Sequence, residues 1–238
     1  MAQKPYSLSA VMPAYNEGAV IELVIENICC QVLAKFKDRE FIIVNDCSTD
    51  NTLAILEKMK EKYGFIKIIN NERNLGHGPS VMKGYAVAQG DFVFSLDSDN
   101  QIPIEQFWLL WEKMEKENLD IVNGIRKKRK DPYFRLLISK ILQVFNRIIF
   151  GVKIRDINCP FKLYKKEVLK QILNILPENT HIPSILTLLA TKPLQIKVGE
   201  VAVAHLPRVT GKSFLRHWKI LKLGWQSLIE LIRFKINL

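Results

Sequence analysis

Four times in the first hundred residues, a short run of apolar, β-branched or aromatic residues breaks off at a polar cluster, and a segment with helical spacing follows. Residues 8–12 lead into Pro13-Ala14-Tyr15-Asn16-Glu17, and 41–45 into Asp46-Cys47-Ser48-Thr49-Asp50. Residues 66–69 precede Asn74-Leu75-Gly76-His77-Gly78, and 92–96 run into Asp97-Ser98-Asp99-Asn100-Gln101. The helical spacing falls at 19–34, 52–63, 79–88 and 104–117, with a fifth short strand at 120–122. Such alternation specifies an α/β fold, a mostly parallel, Rossmann-like sheet covered by helices. Parallel sheets take ligands at the carboxyl ends of their strands, so the four clusters are expected to share one edge. In the second helix Leu53, Leu56 and Met59 with Ile55 form the apolar stripe, and Asp50 or Asn51 can cap it.

The fourth cluster carries the most chemistry. Asp97 and Asp99 stand one residue apart where an apolar strand ends. In an extended chain, side chains two apart face the same way, so both carboxylates can converge on one cation, with Gln101 adding a neutral oxygen. Hard oxygen ligands suit Mg²⁺ or Mn²⁺, which bind through few carboxylates together with water and a substrate's phosphates. The competing reading is a turn in which Asp, Ser and Asn ahead of Pro103 cap the next helix.

At 238 residues the chain can bury one α/β core with an extension. No apolar run approaches the ~20 residues that span a bilayer, and no apolar core of signal-peptide length precedes the first strand. Cys29, Cys30, Cys47 and Cys159 form no metal-ligand spacing, and two of them are adjacent, which suits reduced thiols in a cytosolic protein. Of the net charge of +11, residues 126–155 contribute +9 and residues 205–238 contribute +6, so the rest is acidic. Basic charge gathered in one half calls for an anionic partner. Residues 133–150 and 213–236 are apolar at helical spacing, interrupted by Lys and Arg, with Trp218 and Trp225 in the second. Helices of this kind suit an anionic membrane surface; the alternative is packing on the core with the basic residues solvated.

The ordered motifs resemble those of the family-2 glycosyltransferases: the Pro13–Glu17, Asp46–Asp50, Asn74–Gly78 and Asp97–Gln101 clusters in sequence. Gly124-Ile125-Arg126, Asp156-Ile157-Asn158-Cys159-Pro160-Phe161-Lys162-Leu163-Tyr164 and His205-Leu206-Pro207-Arg208-Val209-Thr210-Gly211-Lys212-Ser213 are similar to the polyprenyl-phosphate branch, of the dolichol-phosphate mannosyltransferase type. The resemblance spans about Ser7 to Ser213 and implies a glycosyltransferase A fold, with residues 1–212 as the catalytic domain. Within it, 126–155 would be a basic amphipathic acceptor or membrane segment, and 213–238 a C-terminal basic helix. It implies that Pro13, Tyr15, Glu17, Asp46, Asn74, Gly76, Asp97 and Ser98 bind a nucleoside-diphosphate sugar, Asp46 at the base edge. Asp97, Asp99 and Gln101 would hold Mg²⁺ or Mn²⁺ on the diphosphate, and Arg126, Lys140, Arg208 and Lys212 would cradle the acceptor phosphate. His77 is expected at the surface rather than as a ligand.

The implied reaction is inverting transfer of one sugar to a polyprenyl (dolichyl or undecaprenyl) phosphate on the cytoplasmic face of the membrane. The protein would attach peripherally or through a membrane-protein partner. Asn45 stands where the family often has a second Asp, and 183–189 lacks an acidic residue common in relatives. Two other readings remain. One has a saccharide hydroxyl as acceptor, which needs a carboxylate base, with Asp156 as the candidate. The other is a non-catalytic protein holding membrane or nucleic acid, although no nucleic-acid module is present and a nucleic-acid partner is not expected.

Overall fold

The computed structural model describes residues 3–127, 143–207 and 217–236, without the side chains of 217–223. Its sheet has seven strands in the order β3-β2-β1-β4-β6-β5-β7. They are β1 Leu8–Ala14, β2 Arg39–Asn45, β3 Ile66–Asn70, β4 Phe92–Ser95, β5 Ile121–Lys127, β6 Lys162–Lys165 and β7 Val198–Ala204. β1, β2, β3 and β4 pair in parallel, as do β5 and β7, and β6 is inserted antiparallel between β4 and β5.

The connections are α1 Ile21–Gln31, α2 Thr52–Lys62, α3 His77–Val87 and α4 Phe107–Glu117, followed by α5 at 143–150, α6 Lys166–Leu173, α7 Pro183–Leu189 and α8 His217–Ile236. Each strand divides its side chains between two apolar layers because successive residues face opposite ways. Leu8, Ala10 and Met12 of β1 and Phe41 and Ile43 of β2 pack with α1, α2 and α4. Val11, Ile42 and Val44 face the layer of α3, α5, α6, α7 and α8. Strands buried on both faces read as continuous apolar runs, which is why β1, β2 and β4 were legible.

Every expected strand and helix of the first 122 residues is present, within two residues at most ends except in β5. That strand runs on to Lys127 and carries Gly124 and Arg126 out to the sheet edge. The N-cap of α2 is Asn51, whose side chain makes no cap bond; Asp50 just before it accepts the amide of Thr52 on Oδ1 at 3.0 Å. Of the expected 133–150 helix, only 143–150 lies among the described residues, and it is helical. α8 is no loose appendage: its Leu231 and Phe234 are buried in the second layer. The four cysteines are free. Among the described residues, no helix is long and apolar enough to cross a membrane.

Pro13 lies inside central β1 yet breaks no ladder. β4 runs beside β1 only as far as Val11, whose carbonyl takes the Leu96 amide at 3.2 Å. Beyond that point the missing N–H of Pro13 has no partner to lose.

Candidate functional site

The loops after β1, β2, β3 and β4 all lie on one edge, and each contains a residue of left-handed φ: Asn16 at 55°, Cys47 at 60°, Gly76 at 92° and Asn100 at 56°. Such backbone persists only where the surroundings over-determine it, and it gathers at functional sites. The surroundings here are the neighbouring loops. Asn16 Oδ1 accepts the Thr49 amide at 2.8 Å, the Glu17 amide donates to Thr52 Oγ1 at 2.9 Å, and the Gly18 amide donates to Asp50 Oδ2 at 3.1 Å.

Asp46 ties the second loop to the third. Its carboxylate is buried and accepts three hydrogen bonds of 2.8 Å: Asn71 Nδ2 and the Leu75 amide on Oδ1, and the Gly76 amide on Oδ2. Asn74 Nδ2 donates to the Asp46 carbonyl at 3.3 Å. Asp46 was expected at a base edge; in the structure its carboxylate holds the loop that starts α3.

The acidic pair is brought together, though not by the geometry expected. β4 ends at Ser95, and the chain bends at Ser98 and Asp99 instead of staying extended. Asp97, Asp99 and Gln101 nevertheless line one small cavity of about 40 Å³, together with Arg126, Pro160, Phe161 and His205. Gln101 is braced there: its Nε2 donates to the Leu206 carbonyl at 3.1 Å, and its own carbonyl takes the Leu206 amide at 2.7 Å. Ser98 is buried, and Tyr15 and Glu17 are partly exposed on the first loop.

Arg126 reaches the cavity from the end of β5 in a fixed pose. Its Nε and one terminal nitrogen donate to Asp156 Oδ2 and Oδ1 at 2.8 and 2.9 Å, with the two side chains only 12% and 9% exposed. Burial works against the guanidinium's charge, but Asp156 raises its pKa further still, so it stays a cation. Below it, Lys162 of β6 is fully buried and donates to the Cys159 carbonyl. Burial pushes its ammonium down to about 8, against the pull of Asp156 and Asp97 among the nearby anions.

His77, the first residue of α3, places Nε2 2.9 Å from Asp97 Oδ1. Burial would raise the Asp97 carboxyl, but His77, then Arg126 and Lys162, hold it below its ordinary value. Reciprocally, burial lowers the imidazole while Asp97 raises it past its usual range. His77 is a surface residue as expected, with half its side chain exposed, and it also contacts Asp97. Lys162 went unassigned because lysines read as exposed; the signal was its place within the apolar run from Phe161 to Tyr164. Lys140, Arg208 and Lys212 lie outside the described residues.

Two carboxylates and an amide oxygen at one cavity fit an ion shared with a phosphate ligand. Among the described residues, no group of three or more His, Cys, Asp or Glu forms a self-sufficient metal site.

The family described as Glycosyl transferase family 2 matches residues 9–173. The chain is 30% identical over 228 residues to an undecaprenyl-phosphate 4-deoxy-4-formamido-L-arabinose transferase of Proteus mirabilis (strain HI4320), covering 95% of this chain and 68% of that one. It is 29% identical over 218 residues to the transferase of the same name from Serratia proteamaculans (strain 568), covering 91% and 65%. The chain thus spans 65–68% of the length of these curated relatives. Its fold is similar to the crystal structure of Mycobacterium tuberculosis glucosyl-3-phosphoglycerate synthase in complex with Mn²⁺, UDP and glucosyl-3-phosphoglycerate. The TM-score is 0.69 at 20% identity, over 96% of this chain and 80% of that one.

Proposed function

The chain belongs to glycosyl transferase family 2, and from that premise we propose that it transfers one sugar, with inversion, from a nucleoside-diphosphate sugar to a polyprenyl phosphate at a membrane surface. The observation that carries this reading is Arg126, locked by Asp156 in the same cavity as Asp97 and Asp99. A fixed guanidinium beside an acidic pair can hold one phosphate next to another that is carried by a metal. The named relatives act on undecaprenyl phosphate, which favours that class of acceptor.

Asp97, Asp99 and Gln101 would hold Mg²⁺ or Mn²⁺, which when bound neutralises charge on the departing diphosphate. Tyr15, Glu17, Asn74, Gly76 and Ser98 would line the donor, with Pro13 and Asp46 shaping the loops that carry them. Arg126, joined by Lys140, Arg208 and Lys212, would bring the acceptor phosphate into line despite its charge. An oxygen of that phosphate attacks the anomeric carbon as the bond to the diphosphate breaks on the opposite side, which inverts the centre. A monophosphate with a second pKa of about 6 is already largely ionised and needs no base. Asp156 supports this choice over a hydroxyl acceptor, because both its oxygens are engaged by Arg126.

Peripheral attachment has support on α5 and α8. The rings of Phe150 and Phe234 pack at 6.3 Å, and Trp225, Ile232 and Ile236 form one exposed stripe of α8, with Ile148 exposed on α5. Arg147, Arg233 and Lys235 lie exposed among them. Apolar residues rimmed by cations suit an anionic lipid surface.

The test uses vesicles carrying undecaprenyl phosphate, Mn²⁺ and a panel of labelled nucleotide sugars, with lipid-linked sugar as readout. Asp97→Ala and Asp99→Ala should each cut transfer by at least about 100-fold, the scale of lost electrostatic stabilisation, while circular dichroism stays native. Near-native transfer by either folded variant, or label passing only to glycan hydroxyls, would refute the proposal.

A further inference from the structure

The contact between His77 and Asp97 engages Oδ1 of a carboxylate that the proposed metal site also uses. We infer that His77 is a positioning residue that holds Asp97 and must be displaced for the ion to bind. The inference rests on the metal reading of the acidic pair given above.

The backbone allows only the side chain to yield. Ahead of His77, the amides of Leu75 and Gly76 are held by Asp46 at 2.8 Å. Just after it, Gly78 lies against the loop before α7: a Cβ there would stand 2.5 Å from the Thr180 carbonyl oxygen and 2.6 Å from His181. That loop is anchored in turn, because Thr180 Oγ1 donates to Glu230 of α8 at 2.7 Å and the His181 amide donates to the same carboxylate at 3.1 Å. Residue 77 is therefore pinned on both sides, while its ring remains 52% exposed and free to change rotamer. Asp97, at 35% exposed, faces Arg126 and Lys162 as well, so the carboxylate stays compensated as the ring leaves.

The arrangement puts a cost on loading the ion. An ion arriving alone must break the His77 contact and gains only the protein ligands Asp97, Asp99 and Gln101. An ion arriving with a nucleoside diphosphate brings phosphate oxygens that offset the lost contact. His77 therefore weakens binding of the ion by the free energy of that contact, with or without nucleotide, and it keeps Asp97 oriented in between.

The test measures Mn²⁺ affinity by electron paramagnetic resonance at fixed pH, with and without UDP as the nucleotide probe, for wild type, His77→Ala, His77→Gln and Asp99→Ala. Loss of a half-exposed ion-pair contact predicts about two- to fivefold tighter binding of bare Mn²⁺ by His77→Ala. The affinity measured with UDP should tighten by a similar factor, because the same contact is broken there, and His77→Gln, which can still donate to Asp97, should fall between. A merely structural histidine would weaken binding or leave it unchanged, and either result overturns the inference provided that Asp99→Ala abolishes binding. If Mn²⁺ binding ignores Asp99→Ala as well, the metal reading itself fails, and this inference with it.

Discussion

Replacing Asp46 by Asn separates two roles that the sequence alone cannot distinguish. A residue that only touches a base can lose its charge with little effect on folding. The structure instead makes this carboxylate the acceptor of three 2.8 Å bonds, at 3% exposure. An amide in its place keeps one oxygen. Turned to serve Asn71 and Leu75, it sets an NH₂ against the Gly76 amide; turned the other way, it loses two bonds and keeps one. The better orientation still loses a bond to a charged acceptor and strands a partly buried donor, together about 2–4 kcal/mol. Asp46→Ala strands three donors, so the loss should approach about 3–6 kcal/mol.

Thermal unfolding reads this directly. For a domain of this size the Asn substitution should lower Tm by roughly 4–12 °C. Calorimetry of UDP binding supplies the second axis, because a loosened loop at residues 74–76 disturbs the donor side without any direct contact being cut. A Tm within about 1 °C of wild type, together with impaired nucleotide binding, would show that Asp46 acts on the ligand alone and would refute the loop-anchoring argument.

Asp156→Asn leaves a nearly buried guanidinium without its carboxylate and should cost about 3 kcal/mol in chemical denaturation; with Arg126→Gln the double variant should recover part of that, a coupling that additive losses would exclude. Lys162 sets a pH dependence of unusual sign. Its folded pKa of about 8 lies below its ordinary 10.5, so between those values the unfolded chain binds more protons and stability rises with pH. Lys162→Met should remove that rise, on the order of 3 kcal/mol across the window. Tyr85, raised to about 12 by burial, and Cys159, raised to about 11 by burial, pull the opposite way at alkaline pH. The difference between wild type and variant, rather than either curve alone, therefore carries the test; parallel curves would refute it.

What the sequence made legible follows from burial on two faces. β1, β2 and β4 show as uninterrupted apolar runs because helices cover them above and below. β6 and β7 were not anticipated. β6 is four residues with lysine at both ends, and β7 holds Gly199 and Glu200 among its apolar positions. Neither carries a strong period, and both exist because neighbouring strands supply their hydrogen bonds. The same strand explains the missed cation: inserted antiparallel beside Ser95 and Asn123, β6 turns Lys162 into the layer below the acidic pair. The metal geometry was legible in its residues but not in its cause, because the chain leaves β4 before Asp97 and the loop, not strand alternation, brings the carboxylates to one cavity.

The motifs are short and individually weak, yet each finds its partner in another. Asn16 holds the loop of Ser48 and Thr49, Asp46 holds that of Leu75 and Gly76, and His77 meets Asp97. Gln101 is bound to Leu206 and Arg126 to Asp156. Segments far apart in the chain thus stabilise one another's left-handed turns, so that removing one anchor releases a conformation its neighbour depends on. That coupling makes the edge preorganised: the cost of ordering loops around a diphosphate is met when the protein folds, before any ligand arrives. It also means that substitutions at Asp46, Asp97 and Asp156 should show non-additive losses wherever their partners share a loop, with His77 as the link between the first two.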